Sequence, residues 1–334
     1  MINPILQFGM SQETVILLSS LLLSAIAIFN KNLFISAFMF AFVSSITGLL
    51  YALIHAPDVA ITEASIGVLA TSFIIFIMII RTTKTKPNKI QEYTEYKIPI
   101  IQVVYFIIFA LISGFIYSKI SSGITHHPLK EYYLTQTQAE IGISSVVAAI
   151  LTSYRGFDTF GELIVIFTSS ITIIALIGDK FLVGSHNQSR HSFLVNDTQK
   201  YDTVLHFGSK FLIPFSLIFS FYLLITGNDR PGGAFQAGAV LASTIMFYFL
   251  STPYSELTRA LSINILKKIN LSGLIIFLIT GITSLAYGGK FLDHNFLAAT
   301  HQIDLGIFLF IVELAIYITV SSSLLISMYL FVHE

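Results

Sequence analysis

Apolar residues along this chain gather into ten runs separated by polar connections, without the two-residue alternation that marks half-buried strands. The runs are Thr14–Phe29, Leu33–Ile54, Val59–Ile80, Ile98–Ile120, Ile141–Tyr154, Asp158–Gly178, His206–Thr226, Gly233–Leu250, Leu271–Tyr287 and Leu305–Phe331. Most approach the roughly twenty residues that a helix needs to cross a bilayer. The pattern predicts an all-α fold, a polytopic transmembrane helical bundle of about 9–10 spans. Two polar connections, Arg81–Lys97 and Asp179–Leu205, read as module boundaries and suggest membrane domains 1–97, 98–190 and 191–334. The stretch Ser255–Ile269 reads as a short interfacial helix, because Leu257, Leu261 and Ile265 step by four and Lys267 and Lys268 close its C-terminal end.

Charge narrows the span count, since cationic loops prefer the cytoplasmic side. If all ten runs cross, Lys and Arg divide nine to nine and no orientation results. If the shortest run, Ile141–Tyr154, re-enters or lies at the interface, the division becomes thirteen inside to five outside. Nine spans, with the N-terminus outside and the C-terminus inside, is the arrangement the charges favour. Composition supports the membrane class: the chain is 54% hydrophobic and 11% charged, with a mean hydropathy of +0.81. A formal net charge of zero gives no general attraction to nucleic acid. The lack of cysteine rules out disulfides and thiolate-ligated iron–sulfur clusters. The first cationic side chain is Lys31, so the basic region of a secretory signal is missing and the first apolar run is expected to remain.

Against this apolar background a few polar residues need a reason to be where they are. In HAPDVAITEASIG, His55 to Gly67, Pro57 and Asp58 look like a helix start. Glu63 follows five residues on, roughly 7 Å along the axis. A carboxylate carried that far into a spanning helix reads as part of an ion or proton path. Its bland alternative is an acid hydrogen-bonded to a neighbouring helix. Ala60, Ala64 and Gly67 are small and would let another helix pack close. Glu313, nine residues after Asp304, lies near mid-membrane without a capping role and has the same two readings.

In YRGFDTFGELI, Tyr154 to Ile164, Asp158 and Glu162 are four apart and share a helix face, so they could hold a proton between them. The structural alternative has equal weight: Thr159 and Glu162 fit a capping box, and Arg155 can neutralise Asp158. Asp202, His206 and Lys210 step by four toward Pro214, whose missing N–H predicts a kink. That stripe suits a proton relay, although His206 and Lys210 can also snorkel to the interface, the somewhat stronger reading. GNDRPGGAFQAG, Gly227 to Gly238, is a tight turn between two spans and not a phosphate loop, because no Gly-Lys-Ser/Thr follows. No metalloprotease, serine-hydrolase or Cys/His ligand motif occurs, so no enzyme, cofactor or bound metal is expected. His126 and His127 are adjacent in a loop, and His55, His206 and His301 fall near span ends, which speaks against haem.

These motifs resemble known ones. APDVAITEASIG resembles the signature of the small domain near the C-terminus of the large Mrp antiporter subunit, also found as a separate subunit of membrane-bound hydrogenases. VVAAILTSYRGFDTFGELIV resembles the segment that ends that large subunit. The chain from His206 onward, with LIPFSLIFSFYLL, GNDRPGGAFQAG and the closing DLGIF, resembles the B subunit of Mrp-type cation/proton antiporters. The three motifs in this order cover nearly the whole chain. Ala234 stands where a third glycine is frequent, and Glu313 where glycine is more often found.

The resemblance implies an integral subunit of a multisubunit antiporter in a bacterial inner membrane. It would exchange Na⁺ or another monovalent cation for H⁺ under the proton motive force, with other antiporter subunits and the lipid bilayer as partners. It also implies that Glu63, Asp158 and Glu162 match positions associated with the ion path. Asp58, His206, Lys210 and Glu313 complete the candidate set from the residues alone. The rivals are an ion-translocating module of a redox complex such as a membrane-bound hydrogenase, and a structural scaffold without an ion path.

Overall fold

In the computed structural model of the chain, the turn between the second and third helices shows how local sequence sets the frame. Helix α2 (Leu33–Leu53) ends at Ile54, His55 adopts φ 60°, and Pro57 opens the next helix. A left-handed residue stops a helix, and proline fits the first helical position because no N–H is needed there. The structure describes residues 4–30, 32–85, 108, 111–112, 128–184, 203–251, 262–293, 296 and 305–333. Among them every regular element is helical.

Helix α1 (Pro4–Phe29) packs against α2. Helix α3 (Pro57–Thr62) continues without a break as a π-helix, π1 (Glu63–Thr71), and then as α4 (Ser72–Thr85). Helix α5 (Pro128–Glu140) precedes a short segment made of α6 (Val146–Ala149) and a second π-helix, π2 (Ile150–Tyr154). The remaining helices are α7 (Gly156–Gly184), α8 (Thr203–Thr226), α9 (Ala234–Ser251), α10 (Ile263–Ala286) and α11 (Leu305–His333). Six helical stretches in the described residues are long and apolar enough to cross a membrane, and Val15–Phe29 and Ala234–Tyr248 are shorter apolar ones.

The C-terminal helix is the core of the bundle. About 72% of the apolar window of α11 is buried, against 11% for α7, so α11 is the helix most enclosed by its neighbours. It packs on α10, α9 and α7. One end of the bundle is closed by an apolar cluster of Leu223, Ala237, Phe277, Val312 and Ile316, the other by Met246, Leu266, Ile326 and Met328. Between them Asn270 of α10 donates to the Ser170 hydroxyl of α7 at 2.7 Å and accepts from Ser323 of α11 at 3.1 Å. Interhelical hydrogen bonds of this kind bind helices where water cannot compete.

The turns fix the direction of each helix. Gly232 bonds Asp58, Ser145 bonds Asn228, and Gly156 lies against Leu292, so these turns share one face of the bundle. The α1–α2 turn and the ends of α4, α7 and α9 lie at the opposite face. α6 and π2 together hold nine residues, roughly 13 Å of helix at most, too short for a hydrocarbon core of about 30 Å. This segment enters and leaves at the Asp58 face, as the nine-span reading of Ile141–Tyr154 requires. The candidate span Ile98–Ile120 lies outside the described residues except for 108, 111 and 112, as do most of the two polar connections, Asp202, His126, His127 and His301.

Three expectations change. Residues 263–269 are not the end of an interfacial helix but the first two turns of α10, with the Ser262 hydroxyl accepting from the Ile265 N–H. Leu257 and Leu261 lie outside the described residues, whereas Ile265, Lys267 and Lys268 stand in the opening turns of the span. Thr159 forms no capping box, because α7 already begins at Gly156; its hydroxyl donates to the Leu151 carbonyl at 2.6 Å. The partner that packs on Ala60 and Gly67 is α2 of the same chain, while Ala64 remains exposed. Apart from these three, α8 carries Pro214 inside one continuous helix.

Candidate functional site

The site grows from the N-terminus of α3. Asp58 sits in the first turn, where a carboxylate suits the helix dipole. Its Oδ1 accepts the backbone N–H of Gly232 at 3.0 Å across a sequence separation of 174 residues. Gly232 has φ 148° and Gly233 φ 130°, values that glycine tolerates and other residues rarely adopt. One turn further along α3 the Thr62 hydroxyl donates to the Asp58 carbonyl at 2.8 Å and accepts from Gln236 Nε2 at 2.7 Å. The GNDRPGGAFQAG turn is therefore a clamp on the HAPDVAITEASIG helix, made by its glycine backbone and by the glutamine that opens α9.

Glu63 stands where α3 turns into π1. A π-helix carries one extra residue in a turn and widens the helix locally; such segments recur at functional sites. The Glu63 side chain is half-buried and leans toward α2, where the Thr47 hydroxyl donates to Oε1 at 3.3 Å. Gly67 leaves the space this requires. A Cβ added there would sit 2.7 Å from Glu63 Oε1 and 2.8 Å from the Ser44 hydroxyl. Glycine at 67 is thus a condition for the carboxylate to occupy this place.

Glu313 lies eight residues into α11, roughly 12 Å from its start. Its side chain is buried at 2% exposure, and Oε2 has no hydrogen-bond partner. It borders a cavity of about 30 Å³ that is also lined by Thr152 of π2, Gly232, Gly233 and Gln236. The cavity thus lies where the Gln236–Thr62 clamp, the short π2 segment and the central helix meet.

The other candidates lie elsewhere. Asp158 and Glu162 are both exposed on α7, and Asp158 forms its ion pair with Arg155. Lys210 is exposed on α8, sixteen residues or about 24 Å along the axis from the Asp58 face. His206 belongs to α8, and its side chain lies outside the described residues. Sequence reasoning missed Thr47, Thr62 and Thr152, because a hydroxyl in a spanning helix carries no signal until the facing helix is known. Outside the membrane, Glu140 accepts from the Tyr132 hydroxyl at 2.6 Å and the Tyr154 hydroxyl at 2.7 Å, tying α5 to π2.

Family comparison assigns each part of the chain in turn. Residues 18–85 match the family MbhD, described as the D subunit of MBH, and residues 102–182 match MbhE, described as the E subunit of MBH. Residues 204–326 match the domain related to the MnhB subunit of Na⁺/H⁺ antiporter. The chain is 23% identical over 310 residues to the probable K⁺/H⁺ antiporter A/B subunit of Rhizobium meliloti strain 1021, covering 83% of this chain and 30% of that protein. It is 29% identical over 136 residues to the Na⁺/H⁺ antiporter B subunit of Bacillus subtilis strain 168, covering 37% of this chain and 94% of that one. Among solved structures, a chain of the Mrp complex from Dietzia sp. DQ12-45-1b superposes with a TM-score of 0.74 at 18% identity, covering 95% of this chain and 34% of that chain. The chain thus spans about a third of the length of the Rhizobium relative and of the Dietzia chain. The clamp from Gly232 and Gln236 to Asp58 and Thr62 joins the MnhB-related region to the MbhD region, and Thr152 brings the MbhE region to the same place.

Proposed function

We propose that this chain, which joins MbhD, MbhE and MnhB-related regions in one polypeptide, is an integral subunit of a multisubunit cation/proton antiporter. The separate matches over 18–85, 102–182 and 204–326 support reading 1–97, 98–190 and 191–334 as three membrane domains. The complex sits in the inner membrane and exchanges a monovalent cation, Na⁺ in the first instance, for H⁺ under the proton motive force. The chain performs transport and no bond-making chemistry, and it works with the other subunits of the antiporter.

The observation that carries the reading is the clamped α3–π1 helix. Glu63 is held at a local widening, with one hydroxyl donor from α2 and a glycine-made space beside it, while Asp58 and Thr62 are fixed from the far region of the chain. A carboxylate in a spanning helix that keeps part of its surface open can take up and pass on a positive charge. Asp58 lies at the face that the charge count assigns to the outside. Asp158 and Glu162, exposed on α7, face outward from the bundle, which suits contact with a neighbouring subunit or the lipid.

The test separates antiport from redox-driven pumping. The complete complex is reconstituted in vesicles with an imposed pH gradient and no electron donor. Adding Na⁺ should dissipate the gradient when this subunit is present and leave it intact when the subunit is omitted. A complex that exchanges nothing until an electron donor is supplied would overturn the antiporter reading.

A further inference from the structure

Glu313 stands apart from the Glu63 path and has surroundings of its own. A carboxyl used only for packing would have both oxygens engaged. Glu313 is 2% exposed and has Oε2 free, on a cavity of about 30 Å³. A water needs about 10–15 Å³ by this measure, so there is room for one or two. Gln236 and Thr152, the other polar side chains that line the cavity, are 8% and 3% exposed. The Thr152 hydroxyl donates to the Ala148 carbonyl at 2.7 Å, which leaves its oxygen able to accept. Gln236 spends an amide N–H on Thr62, and its Oε1 lies beside Gly233, another residue of the cavity wall, 3.2 Å from where a Cβ would stand. The cavity therefore offers a carboxyl group and neutral oxygens.

Nothing cationic compensates that carboxyl. Among the described residues, no Lys, Arg or His lines the cavity. The packed elements carry their titratable groups elsewhere. Asp58 reaches the rim only through the Gly232 N–H, Arg155 and Asp158 pair with each other, and Tyr317 of α11 shares a hydrogen bond with Ser220. Lys210 of α8 and Lys267 and Lys268 of α10 lie toward the opposite face. An ionised carboxylate left alone here would cost more free energy than its neutral neighbours return.

We propose that Glu313, with Gln236 and Thr152, is a second cation-holding site in this chain, loaded through water in the cavity and occupied by one positive charge at a time. The charge is a proton or a small monovalent cation; both meet the same need of the carboxyl. The Gln236–Thr62 bond connects the wall of this cavity to the helix that carries Glu63. The inference deepens the antiporter reading, but its test needs no transport and fails separately from it.

The test is infrared difference spectroscopy on the purified complex at neutral pH in Na⁺-free buffer, wild type against Glu313→Gln. One band of a protonated carboxyl should be present in the wild type, missing in the variant, and shifted in D₂O because cavity water exchanges the proton. Addition of Na⁺ then identifies the occupant. Loss of the band shows that the alkali ion displaces the proton, and an unchanged band shows a proton alone; both support the site. Absence of the band, or a band indifferent to D₂O, overturns it. If the amide variant does not assemble, Thr152→Val takes its place: it removes one hydroxyl beside the carboxyl and should move the same band, and an unmoved spectrum counts against the proposal.

Discussion

Glu63 and Glu313 each stand inside an apolar helix with no capping role, and in sequence they look like twins. In space they differ. Glu63 is half-buried, with α2 as its close neighbour and a threonine hydroxyl on one oxygen. Glu313 is sealed in the central helix, with an unpartnered oxygen on a small cavity. The first keeps part of its surface open, whereas the second meets only the cavity. An acid in a spanning helix thus acquires its role from the helices that pack beside it, and these are chosen by residues far away in sequence.

The sharpest way to break the comparison is to spoil the space around Glu63 without touching the acid. Gly67→Ala places a methyl 2.7 Å from Glu63 Oε1, so the carboxylate must move. Exchange in vesicles should fall about tenfold or more, since displacements of an ångström can cost that much where geometry matters. Gly161→Ala, where an added Cβ meets nothing within 4 Å, is the control and should leave exchange unchanged. Equal activity of the two variants would mean that the position of Glu63 does not matter.

A second change sharpens the contrast from the side of the central helix. Asn270→Ala removes the bonds to Ser170 and Ser323 in a buried place. The loss should be about 1–2 kcal/mol, read as a lower thermal transition of the detergent-solubilised complex, with exchange per assembled complex little altered. A change in exchange larger than the change in stability would show that α11 moves during transport.

Much of this was legible in the sequence, and the failures have physical causes. Apolar runs gave the helices, and length singled out Ile141–Tyr154, which the Lys and Arg tally favours as a segment that does not cross; there the structure has only the short α6 and π2. Pro57 and Asp58 marked a helix start that the structure keeps. The π-helices were invisible, because one extra residue in a turn hardly disturbs an apolar stripe. The bonds from Gly232 and Gln236 to Asp58 and Thr62 join residues 174 apart, and no local pattern reports such a distance. The capping box at Thr159 failed because α7 already starts at Gly156, about one turn ahead of the motif. Helix α5 escaped notice because Pro128–Glu140 is polar along its length, unlike the apolar runs that marked the spans.

The smallest expected effect concerns the clamp that holds π2 against α5. The Tyr132 hydroxyl, and after it that of Tyr154, holds the Glu140 carboxyl below the ordinary carboxylate value. Burial first, and then the bond to Glu140, pushes Tyr154 up to about 12. A lowered acid contributes stability above its ordinary value and loses it as pH falls through the lowered one. A raised tyrosine contributes below its ordinary value and loses it as pH rises through the raised one. The clamp should therefore hold through neutral and moderately alkaline pH and weaken at both extremes. Thermal transitions measured against pH should show a slight acid loss in the wild type that Glu140→Gln lacks; parallel profiles would show that the clamp carries no stability.

The central claim is that Glu63 loads and releases positive charge, and two substitutions at that residue test it most directly. Glu63→Gln keeps shape and hydrogen bonding but cannot titrate. Glu63→Asp keeps the acid and withdraws it by one methylene. The measurement is Na⁺-dependent proton exchange in membrane vesicles, with complex abundance determined on the same preparations. The account predicts that exchange collapses in Glu63→Gln and survives in part in Glu63→Asp, at equal abundance. Wild-type exchange by assembled Glu63→Gln complexes, with Glu63→Asp the weaker of the two, would contradict it and leave Glu63 a packing residue.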